Sequence, residues 1–223
     1  SGQARAQTFR VLTTRGKCEV QRAGQPWGAL SPGATLVPED QVRTGRGSTL
    51  TLALPDGTRN WIGPDTLLRI SPQATPQTQN LGRRLVDLVR GRIRLHAKPQ
   101  GAQPPLTITT PTAMAGVRGT DFYVLADAER STIGVTEGAV SVANLNLQAQ
   151  PVTVNAGEKT VVFVGQPPLP PTPLTAGDQR EARGEAAALD RLEDAAVEET
   201  EQLPVEKFLA FPDVHVDAVR NPA

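Results

Sequence analysis

The residues best placed to do chemistry lie in Thr110–Phe122, TPTAMAGVRGTDF, where Gly116 and Gly119 bracket Val117 and Arg118, and Thr120 and Asp121 follow. Backbone N–H groups exposed at a Gly-rich turn, with an arginine beside them, can hold a phosphate. The spacing argues against that use: there is no Gly-Lys-Ser/Thr, no glycine pattern opening into a helix, and the run continues into Phe122-Tyr-Val-Leu, which reads as a strand. A nucleophilic triad is as poorly supported, since the only histidines are His96 in a basic strand and His215 in the tail, and no Gly-x-Ser-x-Gly elbow occurs. A zinc site needs more His or Cys than the chain holds. Glu39-Asp40 and Glu193-Asp194 are sequence neighbours and read as solvated pairs. The chain is therefore expected to be no enzyme and to carry no metal and no cofactor.

Two other groups of residues draw attention. Arg83, Arg84, Arg90, Arg92 and Arg94 form a basic cluster, and strict alternation would put Arg90, Arg92 and Arg94 on one strand face. With Trp61 they make a candidate surface for an acidic partner, against the plainer reading of a solvated sheet face. Nucleic acid is a poor fit because Trp61 is the only aromatic between residues 28 and 121 that could stack a base. The single cysteine, Cys18, sits in an alternating run and reads as a small buried hydrophobe, with a reactive or intermolecular thiol as the alternative.

The elements that must position these residues are short strands. Twenty Gly and twenty Pro punctuate β-branched runs, the pattern of an all-β chain of one main domain, and with 4% aromatics the core must rest on Val, Leu and Ile. The expected strands are Arg10–Thr13, Cys18–Arg22, Gln41–Arg43, Ser48–Leu54, Arg59–Ile62, Leu67–Ile70, Arg84–Val89, Arg92–His96, Leu106–Thr109, Asp121–Ala126, Thr132–Thr136, Ala139–Val142, Val152–Val154 and Thr160–Val164. In Ser48–Leu54 the leucines at 50, 52 and 54 alternate with Thr49, Thr51 and Ala53, implying one buried and one solvated face. Asp56-Gly57 is a strong hairpin signal, and Glu137-Gly138 and Ala156-Gly157 mark further turns. Val42-Arg43, Val89-Arg90 and Val117-Arg118 echo one another beside glycines, as equivalent corners of stacked coils would.

This β domain spans residues 8–165. Residues 166–175 begin with QPPLPPTPL, a proline run expected to stay out of any ladder and form an extended spacer. Residues 176–223 follow as an amphipathic helix over Ala176–Leu203, ended by Pro204, and an apolar tail containing Phe208–Val216. Residues 1–100 hold 15 Lys and Arg against 6 Asp and Glu, and residues 101–223 hold 8 against 17, so the halves carry +9 and −9. Such asymmetry suits either docking of the acidic half on the basic half or an anionic partner. No run approaches the ~18 apolar residues needed to cross a bilayer, so the chain as given reads as soluble. It begins at Ser1 without Met, which leaves open a removed signal or anchor upstream.

In order, Gly16-Lys-Cys-Glu-Val20, Trp27-Gly-Ala-Leu30, Asp40-Gln-Val-Arg-Thr44, Leu50–Gly57 with its Asp56-Gly57, Val89-Arg-Gly91, Ile108–Ala113 and Gly116-Val-Arg-Gly-Thr-Asp-Phe122 resemble the FecR domain over about residues 10–165. The resemblance implies a twisted β-solenoid and a protein-binding role. In its best-known setting that domain is the periplasmic part of a membrane regulator relaying a signal to a sigma factor. This chain departs from that setting in lacking a transmembrane run and a βαβ module after the β region. The motif then reads as a structural corner, with Gly116 and Gly119 for tight backbone, Arg118 bridging neighbouring coils, and Thr120 and Asp121 closing the turn.

The resulting expectation is an exported, non-enzymatic bacterial envelope protein, periplasmic or cell-envelope located, that binds a protein partner or self-associates through its C-terminal arm. The rival is a module for anionic cell-wall polymer or polysaccharide, using the basic cluster with Trp27 and Trp61.

Overall fold

The computed structural model describes residues 8–54, 56–72, 83–98, 106–147 and 150–179. It is mostly β, with seventeen strands in one hydrogen-bonded network: β1 (Phe9–Arg15), β2 (Cys18–Gln21), β3 (Gly28–Ala29), β4 (Thr35–Leu36), β5 (Gln41–Thr44), β6 (Thr49–Ala53), β7 (Arg59–Ile62), β8 (Leu67–Ile70), β9 (Arg83–His96), β10 (Leu106–Thr109), β11 (Ala113–Val117), β12 (Asp121–Ala126), β13 (Arg130–Glu137), β14 (Ala139–Asn144), β15 (Val152–Asn155), β16 (Glu158–Phe163) and β17 (Thr172–Pro173).

The network resolves into two open sheets that share β9. The first runs β4-β1-β6-β7-β9-β12-β13-β16-β17. The second runs β3-β2-β5-β8-β9-β10-β11-β14-β15, with β9–β10 its one parallel pair. Period-two alternation turns one face of each strand inward. Leu50 and Leu52 of the first sheet and Val42 and Leu68 of the second are all fully buried in the same apolar cluster. Cys18 joins that cluster; burial pushes its thiol up, against a weaker opposing backbone contact at Arg15.

Residues 84–89 and 92–96, expected as two strands, belong to one strand that changes sheets. Up to Arg90 it pairs with β8 and β10, and from Gly91 onward with β7 and β12. The crossing needs glycine: Gly91 has φ +103°, and a Cβ there would stand 2.5 Å from the Thr66 Cα. The Thr66 hydroxyl locks the kink by accepting the Arg92 N–H at 3.0 Å.

Three further expectations change. β11 replaces part of the supposed corner. The Val-Arg echo does not mark equivalent positions, because Val42 and Val117 are buried whereas Val89 is 44% exposed. The proline run is not a loose spacer: Thr172 and Pro173 pair with Lys159 and Glu158, and the N–H groups of Leu169 and Leu174 donate to Val161 and Gly157 at 2.9 and 2.7 Å. An edge strand needs a partner for only every second backbone group, so interspersed prolines are tolerated there. Beyond this strap, residues 176–179 form a first helical turn. Its cap is reciprocal, the Asp178 N–H donating to the Thr175 hydroxyl at 3.2 Å and the Thr175 N–H to Asp178 at 2.7 Å. The rest of the expected helix, the apolar tail and His215 lie outside the described residues. Among the described residues no helix is long and apolar enough to cross a membrane.

Candidate functional site

Thr110–Phe122 divides into three parts. The Thr110–Ala113 turn joins β10 to β11 and is stitched to the opposite sheet by buried hydroxyls. Thr112 Oγ1 donates to Ser131 Oγ at 2.7 Å or to the Val162 carbonyl at 3.0 Å, and Ser131 Oγ in turn donates to Thr110 Oγ1 at 2.8 Å. Next comes β11, with Ala113, Ala115 and Val117 facing the core. The corner proper is residues 118–120, where Gly119 has φ 63° and the buried Thr120 hydroxyl donates to the Ala139 carbonyl at 3.4 Å.

The expected corner at Gly116–Asp121 is thus narrower than the motif. Gly116 lies inside β11 without a positive φ. Arg118 bridges no coils: it is exposed, and no hydrogen bond or ion pair to it occurs among the described residues. Asp121 does not close the turn through its side chain. Its carboxylate meets Arg94, whose Nε stands 2.9 Å from Oδ1 and whose Nη2 donates to Oδ2 at 2.9 Å. Arg94 is 3% exposed, and its Nη2 also reaches the Thr136 hydroxyl at 3.2 Å. His96 Nδ1 stands 3.5 Å from the same carboxylate.

A second polar cluster sits on β8, β9 and β10. Asp87 accepts from Arg69 Nη2 at 2.9 Å, Arg84 Nη2 at 2.6 Å, Ser71 Oγ at 2.9 Å and the Thr109 hydroxyl. Burial pushes the Asp87 carboxyl up. The bonds from Thr109 and Arg69, the charge of Arg84 and the bond from Ser71 outweigh it and hold the group below its ordinary value. Both clusters pair charge across neighbouring strands, fixing register rather than presenting a reactive group.

These pairings break up the supposed partner surface. Arg84 and Arg90 stand on the half of β9 in the second sheet, and Arg92 and Arg94 on the half in the first, so Arg90 does not share the face of Arg92 and Arg94. Arg94 is buried and neutralised by Asp121, and Arg84 is held by Asp87. Arg83 opens β9 opposite Leu106. Trp61 is half-buried opposite Arg94, its ring against Gly63. Trp27 lies under Arg43 at 4.2 Å, and that arginine is itself paired with Glu19 at 2.7 Å. Arg92 instead stands over the Tyr123 ring at 5.6 Å. Asp56 and Gly57 make the β6–β7 turn, with Asp56 Oδ1 accepting the Thr58 N–H at 2.9 Å.

Tyr123 shows what the strap does. Its ring, on the outward side of β12, is covered by Leu174, and both are nearly inaccessible. Its hydroxyl donates to Asp178 at 3.4 Å, and Lys159 Nζ donates to the same carboxylate at 2.7 Å. Partial burial pushes Asp178 up, but the bonds from Lys159 and from the Thr175 hydroxyl and N–H prevail and bring its pKa to about 2.

Residues 40–141, the span holding both ion-pair clusters and the β10–β12 motif, match the model of the FecR protein family. Over that span the chain is similar to the FecR family. Two crystal structures of a candidate anti-sigma factor from Parabacteroides distasonis are similar in fold, each 20% identical with a TM-score of 0.50. The likeness covers 61% of this chain and 60% of that one, less than two thirds of its length. No curated protein matches the chain.

Within the FecR-like span, positions not singled out as site residues carry much of the construction. Asp40, Val42 and Thr44 alternate along one side of the chain entering β5, and all three are buried. Asp40 accepts the Val37 N–H at 3.0 Å, and the Thr44 hydroxyl donates to the Gly63 carbonyl at 2.7 Å while accepting the Thr66 N–H at 3.0 Å. The Asp-x-Val-x-Thr spacing was the available signal, since period two puts all three on one face.

Proposed function

We propose that this chain is a non-enzymatic regulatory module of the bacterial cell envelope, exported to the periplasm or envelope, which works by binding another protein through its FecR domain. The observation that carries the reading is the FecR match over residues 40–141, in which the most tempting charged side chains, Arg84, Asp87, Arg94 and Asp121, are occupied in pairing strands. A scaffold so used suits recognition on an outer face more than chemistry in a pocket. The passage of the chain from sheet to sheet, usually two strands at a time, supports reading the domain as a twisted β-solenoid. The fold likeness to a candidate anti-sigma factor favours signalling among protein-binding roles. Self-association through the acidic C-terminal segment remains part of the proposal, carried by the opposite charges of the two halves.

The test is fractionation of cells producing the tagged chain, followed by crosslinking in the cell and reconstitution of the captured protein with purified chain. An envelope location and a stoichiometric protein complex that survives moderate salt are the expected results. Retention in the cytosol would contradict the location. Binding only to an anionic polymer, abolished by salt, would favour the polymer module instead.

A further inference from the structure

The outward face of the second sheet carries a cleft of about 600 Å³ over β10, β11 and β14, reaching Pro151 and Thr153 at β15. Its shape follows from alternation. In β11, Ala113, Ala115 and Val117 face the core, which turns Met114, Gly116 and Arg118 outward; in β14, Val140 and Val142 face inward, which turns Ala139, Ser141 and Ala143 outward. The floor is thus made of Gly, Ala and Ser, and taller side chains stand at its rim.

Two features of this cleft have no explanation in folding. Gly116 does not need to be glycine, because its φ is not positive and a Cβ there would meet nothing among the described residues nearer than the Ser141 carbonyl at 3.9 Å. Glycine inside a strand weakens it, and where the fold does not demand one it marks a place where another backbone approaches closely. Arg118 is the second feature. Arg43, Arg69, Arg84 and Arg94 are each paired with a carboxylate, whereas Arg118 is exposed and has no such bond among the described residues. Among the described residues no Asp or Glu lines the cleft.

We propose that this cleft seats an extended segment of a partner protein, its backbone lying over Gly116 and a carboxylate of the segment engaging Arg118. The volume falls within the usual range for a ligand site. Besides Gly116, Arg118 and Ser141, the described lining is Met, Ala, Val, Pro and Thr, with no aromatic platform among the described residues, which suits alternate small apolar side chains and gives a sugar ring nothing to stack on. A guanidinium fork favours a carboxylate geometrically as well as by charge. This deepens the protein-binding reading above, on which it rests.

The probe is a random dodecapeptide display library, selected on the full chain and then measured as synthetic peptides. Selected peptides should share a carboxylate at a fixed distance from small apolar residues, and should lose at least about tenfold in affinity on Gly116→Leu, which fills the floor. Arg118→Gln should weaken them by about tenfold, and Arg118→Glu should shift selection toward Lys or Arg at that position. Arg118 is exposed, so its variants decide the question even if Gly116→Leu fails to fold. Peptides that bind all variants alike, or a library that yields no carboxylate preference, overturn the cleft while leaving protein binding elsewhere intact. Saturable binding of oligogalacturonate that Gly116→Leu abolishes overturns the peptide assignment in favour of a polymer. If neither peptides nor any partner protein binds the chain, the cleft and the protein-binding reading fall together.

Discussion

Single residues divide into those that hold the β domain together and those that do not. Gly91 belongs to the first group, since alanine there would be strained at φ +103° and would press on the Thr66 backbone at 2.5 Å. Gly91→Ala should cost about 3 kcal/mol, measured by denaturant unfolding. Arg94→Met leaves the partly buried Asp121 carboxylate with only His96 Nδ1, at 3.5 Å, of the paired groups described above, with an expected loss of about 3 kcal/mol. Replacing Asp121 as well, as in Arg94→Met with Asp121→Leu, should recover much of that loss, because the penalty lies in the stranded charge. Arg118→Ala touches neither network and should stay within about 0.5 kcal/mol of the parent. A large fall in Tm for Arg118→Ala would restore the coil-bridging role that its exposure argues against. The residue types in GVRGTD pointed to this region, but types alone could not tell the buried arginine from the exposed one. Arg94 and Arg118 both follow an apolar residue, and only strand pairing sends one of them to Asp121.

Strands were legible wherever β-branched residues alternate between turn signals. The bounds expected for β7, β8, β10 and β12 coincide with those observed. β11 was hidden because its inward positions are Ala113, Ala115 and Val117, too small to announce a strand, and because Gly116 reads as a turn. β3 and β4 are two residues each, too short for any period to register. The strap was misread because proline counts against a strand only where each backbone N–H is needed. Its role is testable by truncation: a chain ending at Gly165 loses Leu174 from Tyr123 and should be less stable than one ending at Gln179, by about 2–3 kcal/mol, with a lower Tm. Equal melting temperatures would make the strap a passive tail. Acid should also release it. Asp178 falls from an ordinary 3.8 to about 2 in the folded protein, so its stabilisation is present above about pH 4 and is lost as pH falls toward 2. Tyr123 is the only tyrosine, so its ring resonances report the release directly. Asp178→Asn should abolish the change in that pH window.

At the scale of the whole molecule, the mostly β class and the likeness to the FecR family were legible, and the proposed recognition face was not. Five arginines within twelve residues resemble one basic surface until β9 is seen to change sheets at Gly91, which sends Arg84 and Arg90 to one sheet and Arg92 and Arg94 to the other. The cleft over Gly116 left no comparable trace, because a furrow is made by side chains that are small. We propose that the β domain recognises protein on the outer face of its second sheet. Hydrogen–deuterium exchange of the full chain, with and without a bound partner protein or selected peptide, tests it most directly. The account predicts added protection along β11 and β14 and at the Arg118 corner, with the β7, β9 and β12 amides of the first sheet unchanged. Protection confined to the strands carrying Trp61, Arg92 and Tyr123, with β11 and β14 unaffected, would contradict it.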